Sequence, residues 1–105
     1  MRFVETPAFT SALRRHLDDE TYRALQVALL LRPTQGTLLQ GGAGLRKLRW
    51  VAPGRGKRGG VRLIYYWEPG TQTFYMLYLY TKNEQGDLTA VQLKILAKLV
   101  REEFT

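Results

Sequence analysis

The side chains best suited to chemistry in this sequence are basic, and they are concentrated in one segment. Residues 44–62 hold seven Lys and Arg, and no Asp or Glu occurs between Glu20 and Glu68. Such an excess is typical of a surface that meets a polyanion, because a merely solvated surface usually mixes both signs of charge. The pattern therefore favours a nucleic-acid partner. The seven residues are Arg46, Lys47, Arg49, Arg55, Lys57, Arg58 and Arg62.

The overall charge depends entirely on that segment. The chain has 105 residues, with 16 Lys and Arg against 9 Asp and Glu, a net charge of +7. Without the seven clustered bases, the remaining bases would equal the acids. A chain that is 45% hydrophobic and 24% charged is typical of a globular protein, and its length predicts one domain over residues 1–105. We find neither a membrane-spanning run nor a signal-peptide pattern, which predicts a cytoplasmic protein without a membrane partner.

Several kinds of catalytic site are excluded or made improbable by composition. There is no cysteine, hence no thiolate metal site and no cysteine nucleophile. His16 is the single histidine, and its position on an apolar helix edge favours a packing residue. Acidic clusters at 18–20 and 102–103 fall at predicted helix ends, which suits caps better than metal ligands. Gly56-Lys57 is followed by Arg58 and not by Ser or Thr, so it is no Walker A loop. We expect neither metal nor cofactor.

The first third of the chain predicts a strand and a helical hairpin. After a strand over 1–5, Thr6 followed by Pro7 is a favourable start for a helix. The acidic run that begins at Asp18 predicts the cap of a second helix, which ends at Arg32-Pro33. Its predicted apolar stripe is Tyr22, Leu25, Val27, Leu29 and Leu30.

The rest of the chain predicts a sheet and a last helix. A Gly-rich loop over 33–44 precedes strands over 45–51, 61–68 and 73–81, whose short connections favour antiparallel pairing. A helix over 89–103 follows, opened by the capping-box pair Thr89 and Gln92. The fold class is therefore α+β, in the order β-α-α-β-β-β-α.

The final helix carries two neighbouring apolar stripes, and a single sheet face can bury only one of them fully. The second is expected either to pack on the helical hairpin or to meet a partner. The first stripe is Leu93, Leu96, Ala97 and Val100, and the second is Val91, Ile95 and Leu99.

Arg62 is the most unusual of the bases because apolar and aromatic residues surround it in a predicted central strand. Alternation places Arg62 on one face with Ile64 and Tyr66. One interpretation is a functional charge; the other is a side chain that reaches solvent from a frayed strand start. We favour the first.

Three sequence runs together resemble the RelE/ParE superfamily of bacterial toxins, and within it the HigB-like branch. The similarity extends over nearly the whole chain. It implies a small RelE-like fold, a twisted antiparallel sheet with an N-terminal helical hairpin and a C-terminal helix. The runs are G-L-R-K-L-R-W, G-R-G-K-R-G-G-V-R-L-I-Y-Y-W and Y-L-Y-T-K-N-E-Q-G-D-L-T.

The resemblance also implies a function and partners. It implies a toxin of a type II toxin–antitoxin system that enters the ribosomal A site and cleaves mRNA there without a metal. In HigB-like pairs the cognate antitoxin is usually a helix-turn-helix protein, through which the complex binds operator DNA. The expected partners are thus an antitoxin, the ribosome and mRNA.

The site residues follow from the same resemblance. Cleavage by the RNA 2′-OH needs a base, positive charge on the phosphorane and an acid. Arg62 matches the phosphate-stabilising arginine, and Lys82 matches the base after the last strand. Like charges lower the pKa of a lysine, so Lys57 between Arg55 and Arg58 is a hypothetical general base. The expected RNA-binding residues are Arg46, Lys47, Arg49, Arg55, Arg58, Tyr66 and Asn83.

The sequence also departs from the strongest ribonuclease members. Lys82 is followed by Asn83 where they carry adjacent bases, and Phe104 is the only aromatic residue at the C-terminal end. Tyr66 or Trp50 is then expected to stack on a base, and the general acid is unassigned. Two alternatives stay open: a ParE-like gyrase inhibitor, and a non-catalytic nucleic-acid-binding module.

Overall fold

A five-stranded mixed sheet with helices on both faces is the frame of the computed structural model, which describes residues 1–51 and 60–103. Its strand order is β1-β5-β4-β3-β2. The three long strands pair antiparallel as predicted, and β1 joins β5 in parallel. The α+β class is confirmed. The elements are β1 (Arg2–Glu5), α1 (Pro7–His16), α2 (Asp19–Leu31), β2 (Thr37–Leu38), β3 (Arg46–Trp50), β4 (Val61–Glu68), β5 (Thr73–Thr81) and α3 (Ala90–Glu103).

The helical hairpin begins where its capping residues predict. The Thr6 hydroxyl accepts a hydrogen bond from the Phe9 N–H at 3.0 Å, and Asp18 accepts one from the Thr21 N–H at 2.7 Å. The Thr6 hydroxyl also donates to the carbonyl of Leu77 at 2.8 Å, which fixes the start of α1 against β5. In the described part of the chain, no helix has the length and apolar character needed to cross a membrane.

Two sequence expectations in this half of the chain are wrong. The loop predicted over 33–44 contains β2, which pairs with β3, so the order has one more strand. Two residues are too few to show an alternating pattern. Along α2, Leu25 and Leu29 are buried, but Val27 and Leu30 are 49% and 38% exposed. Val27 and Leu30 therefore lie outside the narrow stripe of α2 that packs in the core.

The sheet separates two cores. Leu63 and Tyr65 of β4 pack with α1 and α2 on one face. Ile64 between them packs on the other face, with Ala97 and Val100 of α3. Of the two alternatives for the second stripe of α3, packing on the helical hairpin is therefore wrong, because the sheet lies between them. Leu99 of that stripe packs against the same core as Ile64.

A β-bulge at Leu77 changes the faces along β5. Tyr65 pairs with Met76 and Ile64 pairs with Tyr78, which leaves Leu77 as an extra residue. Met76 packs on the hairpin side, whereas Leu77 and the tyrosines after it, Tyr78 and Tyr80, pack on the α3 side. The bulge thereby brings Tyr80 to the face that carries Arg62.

Candidate nucleic-acid interface

Two arginines and a tyrosine form a row across the three central strands. Arg49 of β3 pairs with Arg62 of β4, and Arg62 pairs with Tyr80 of β5. Directly opposite residues have Cβ atoms about 5 Å apart and lie on one face. Arg49 is exposed and Arg62 is half-buried. Two positive charges therefore face each other on one face of the sheet, an arrangement that by itself destabilises a sheet.

Lys47 extends this basic surface by one step along β3. It pairs with Ile64, two residues from Arg49, and therefore lies on the same face. Its Nζ lies 3.1 Å from Oδ1 of Asp87, in the segment between β5 and α3. The Tyr80 hydroxyl also donates to that Oδ1, at 3.4 Å. Lys47 and Tyr80 belong to the strands on either side of β4, so the Asp87 carboxylate links β3 to β5 above β4. We call Lys47, Arg49, Arg62, Tyr80 and Asp87 the basic row.

The protonation states of the row follow from these contacts. The hydrogen bond from Lys47, with a further one from the Leu88 N–H, holds the pKa of the Asp87 carboxyl below its usual value. Burial raises the pKa of Tyr80, and the Asp87 carboxylate raises it further, while Arg62 opposes both. At neutral pH the carboxylate is charged and the phenol keeps its proton, which it donates to Asp87.

An amide and phenol network holds the segment that carries Asp87. The Gln92 Nε2 donates to the Tyr78 hydroxyl at 3.1 Å, and Gln85 Nε2 donates to Gln92 Oε1 at 2.8 Å. The predicted capping box is present, with Thr89 and Gln92 bonded reciprocally at 3.0 and 3.1 Å. The start of α3 is thus anchored to the sheet beside the row.

Lys82 and Asn83 lie in an exposed turn just after β5. Thr81 pairs with Val61, so the turn follows the sheet at the end where β4 begins. Glu84 closes the turn by accepting from the Thr81 N–H at 2.9 Å. His16 Nε2 lies 3.1 Å from Glu84 Oε1, which ties the turn to the end of α1. The half-buried His16 thus packs as expected and also makes a polar contact.

Gly60 allows β4 to begin beside β3. Its φ is +63°, and a Cβ there would lie 2.1 Å from the backbone oxygen of Trp50. No side chain fits at that distance. Arg62 stands two residues further on, so its position opposite Arg49 depends on this close approach.

Three other residues named from the sequence lie apart from the row. Arg46 is on the opposite face, where its Nη1 donates to the carbonyls of Thr34 and Gly36 at 3.1 and 2.9 Å. Tyr66 shares the face of Arg62 but stands four residues along β4, about 13 Å away. Trp50 packs against the hairpin-side core.

The predicted roles of Arg55, Lys57 and Arg58 stay predictions, because residues 52–59 lie outside the described residues. Sequence reasoning missed Tyr80 and Asp87. Asp87 stands in the run K-N-E-Q-G-D-L-T, apart from the acidic clusters, and a single carboxylate gives no sequence signal of a site. Among the described residues there is no group of three or more side chains that could hold a metal ion.

A scan of the sequence against protein-family models finds no match. The structure is similar to that of a variant of the E. coli toxin RelE in the free state, in which two arginines are replaced by alanine. The TM-score is 0.58 at 14% sequence identity, and the match covers 97% of this chain and 96% of the other. The described part of this chain therefore has the RelE fold.

Proposed function

We propose that this chain is the toxin of a type II toxin–antitoxin system, of the HigB-like branch, and that it cleaves mRNA in the ribosomal A site. The observation that carries the proposal is Arg62 in the central strand, between Arg49 and Tyr80, on a RelE-like fold. Two guanidinium groups side by side on one face of the sheet fit the charge of a transferring phosphate.

The chemistry is an internal displacement at phosphorus. The 2′-oxygen of RNA forms a bond to the adjacent phosphorus and the P–O5′ bond breaks, leaving a 2′,3′-cyclic phosphate and a 5′-hydroxyl. Arg62 and Arg49 stabilise the added negative charge of the phosphorane. Lys57 takes the 2′-OH proton, and Lys82, beside the start of β4, protonates the leaving oxygen.

Ribosome dependence follows from the same residues. A lysine in water is mostly protonated at neutral pH and is a poor general base, and His16 Nε2 lies 3.1 Å from Glu84 Oε1. An mRNA held by the ribosome in a reactive conformation reduces the demand on those groups. We therefore expect slow cleavage of free RNA and fast cleavage of ribosome-bound mRNA.

An antitoxin fits the apolar surface of α3. Val91 and Ile95 are 68% and 61% exposed on the side of α3 that the sheet leaves uncovered. A helix-turn-helix antitoxin would cover these residues with an apolar element and neutralise residues 44–62 with an acidic one, and would carry the complex to operator DNA.

Two assays on the purified protein test the proposal against its alternatives. The proposal expects arrest of a purified translation system and unchanged supercoiling by DNA gyrase. Gyrase inhibition with normal translation would favour the ParE-like function. RNA binding without either effect would favour a non-catalytic binding module.

A further inference from the structure

One carboxylate lies within the basic row, and the proposed cleavage reaction has no use for it there. Asp87 Oδ1 receives three donors, namely Lys47 Nζ at 3.1 Å, the Leu88 N–H at 2.8 Å and the Tyr80 hydroxyl at 3.4 Å. An ammonium, a backbone N–H and a phenol that converge on one anionic oxygen are the donors that also bind a phosphate oxygen.

Stability does not explain the arrangement. The side chains of Lys47 and Asp87 are 33% and 69% exposed, and ion pairs this open to solvent contribute little to folding. Such a pair exchanges readily for another anion. Tyr80 differs, because the residue is 1% exposed and its hydroxyl points to the carboxylate. The Asp87 carboxylate therefore covers the buried hydroxyl of Tyr80, and another anion can displace this carboxylate easily.

We propose that Lys47, Tyr80 and the Leu88 N–H form a phosphate subsite that Asp87 occupies in the free protein, and that a phosphate of the RNA substrate replaces the carboxylate. The inference rests on the proposed function for the identity of the substrate. The Asp87 carboxylate then competes with the RNA phosphate for the same three donors. An RNA must displace the carboxylate before it can bind at this subsite, and this lowers its affinity.

The test compares binding of a single-stranded 2′-O-methyl RNA, which lacks the 2′-hydroxyl needed for cleavage, to the wild type and to Asp87→Asn. The asparagine keeps an oxygen for the Leu88 N–H and removes the charge. We expect the variant to bind about two- to five-fold more tightly, the range that corresponds to one partly exposed ion pair. Glu68→Gln is the control, because it removes the same charge at the far end of β4, where Glu68 accepts from the Gly70 N–H.

Lys47→Gln and Tyr80→Phe test whether Asp87 acts through the subsite. The gain from Asp87→Asn should shrink to the level of the Glu68→Gln control when Lys47 is replaced, and Tyr80→Phe should weaken RNA binding in the Asp87→Asn background. The inference would be overturned if Asp87→Asn still raised RNA affinity in the absence of Lys47. It would also be overturned if, in the wild-type background, Asp87→Asn raised RNA affinity no more than Glu68→Gln does. Weaker RNA binding by Asp87→Asn would also overturn it, by making Asp87 a positioning residue.

A second probe separates this inference from the proposed function. Inorganic pyrophosphate should compete with Asp87 for Lys47, and NMR of the aspartate carboxyl carbons should report the released carboxylate. If pyrophosphate releases the Asp87 carboxylate but the protein does not bind RNA, the phosphate subsite is supported and RNA is refuted as its substrate. RNA binding with an undisturbed Asp87 signal would refute the subsite and leave the proposed function standing.

Discussion

Arg49 of β3 lies directly opposite Arg62 of β4, which is the central strand of the five-stranded sheet. Two guanidinium groups at paired positions repel each other, whatever else each of them contacts. The row continues to Tyr80, and Lys47 adds a third cation on the same face. This concentration of positive charge on one face is the basis of the proposed phosphate site.

Replacing Arg62 should affect catalysis more than stability. We expect Arg62→Ala to reduce cleavage of ribosome-bound mRNA by roughly 10²–10³-fold, as does the loss of one preorganised donor in other enzymes. Single-turnover kinetics on programmed ribosomes measures the effect. Arg23→Ala, an exposed site on α2, is the matched control and should cleave normally. Normal cleavage by a folded Arg62→Ala variant would remove Arg62 from the site.

Replacing Arg49 should raise the stability of the protein and lower its cleavage activity. Arg49→Gln removes the repulsion with Arg62, and we expect the free energy of unfolding to rise by about 0.2–1 kcal/mol while cleavage falls. Urea denaturation and the cleavage assay provide the two readouts. A variant that loses stability would show that the contacts of Arg49 in the free protein outweigh the repulsion.

Gly60 should be intolerant of any side chain. Gly60→Ala places a Cβ at 2.1 Å from the Trp50 backbone oxygen at a φ of +63°, and the left-handed conformation alone costs about 1–2 kcal/mol. We expect a large fall in melting temperature. Gly86→Ala is the control, because a Cβ there meets nothing within 4 Å. Equal melting temperatures for the two variants would contradict the close approach of β3 and β4.

The acid limb of stability should depend on Asp87 and Glu84. Lys47 lowers the pKa of Asp87 from 3.8, and the Thr81 N–H lowers that of Glu84 from 4.5. Groups with a depressed folded-state pKa stabilise above the unfolded value and lose that contribution as the pH falls through the folded value. Because both side chains are exposed, the effect is small: the unfolding free energy should decline slightly below about pH 4.5, and less steeply in Asp87→Asn and Glu84→Gln. Unchanged slopes would place the acid sensitivity in other carboxylates.

The exposed stripe of α3 should bind the antitoxin. We expect Val91→Ser and Ile95→Ser to weaken binding of the proposed antitoxin while leaving the melting temperature unchanged, since both side chains are mostly exposed. Calorimetric titration measures the affinity. Val27→Ser, an exposed apolar site on α2, should bind normally. A lower melting temperature with unchanged affinity would place the interface elsewhere.

The helices and long strands could be predicted because their signals are local. Thr6-Pro7, Asp18 and the Thr89 and Gln92 pair act within one helical turn, and all three appear as expected. The strand β2 could not be predicted, since its two residues are defined by pairing with β3. The exposure of Val27 was missed because the sheet covers a narrower stripe than the apolar pattern suggests.

The site was harder to predict because it depends on register. Arg62 was identifiable as a charge in an apolar strand. That Arg49 lies opposite it depends on the register in which β3 pairs with β4, which the sequence does not give. Tyr80 reaches this face through the bulge at Leu77, which breaks the alternation on which sequence reasoning relies. Arg46 adjoins the other bases in sequence, yet alternation along β3 turns it to the opposite face, where it holds carbonyl groups.

The central claim is tested most directly by mapping the mRNA ends that this protein produces on programmed ribosomes. We predict new 5′ ends within the A-site codon, carrying a 5′-hydroxyl opposite a 2′,3′-cyclic phosphate. They should be absent with Arg62→Ala and present with Arg23→Ala. Intact mRNA on ribosomes exposed to the folded wild-type protein, or ends that the Arg62→Ala protein produces equally well, would contradict the account.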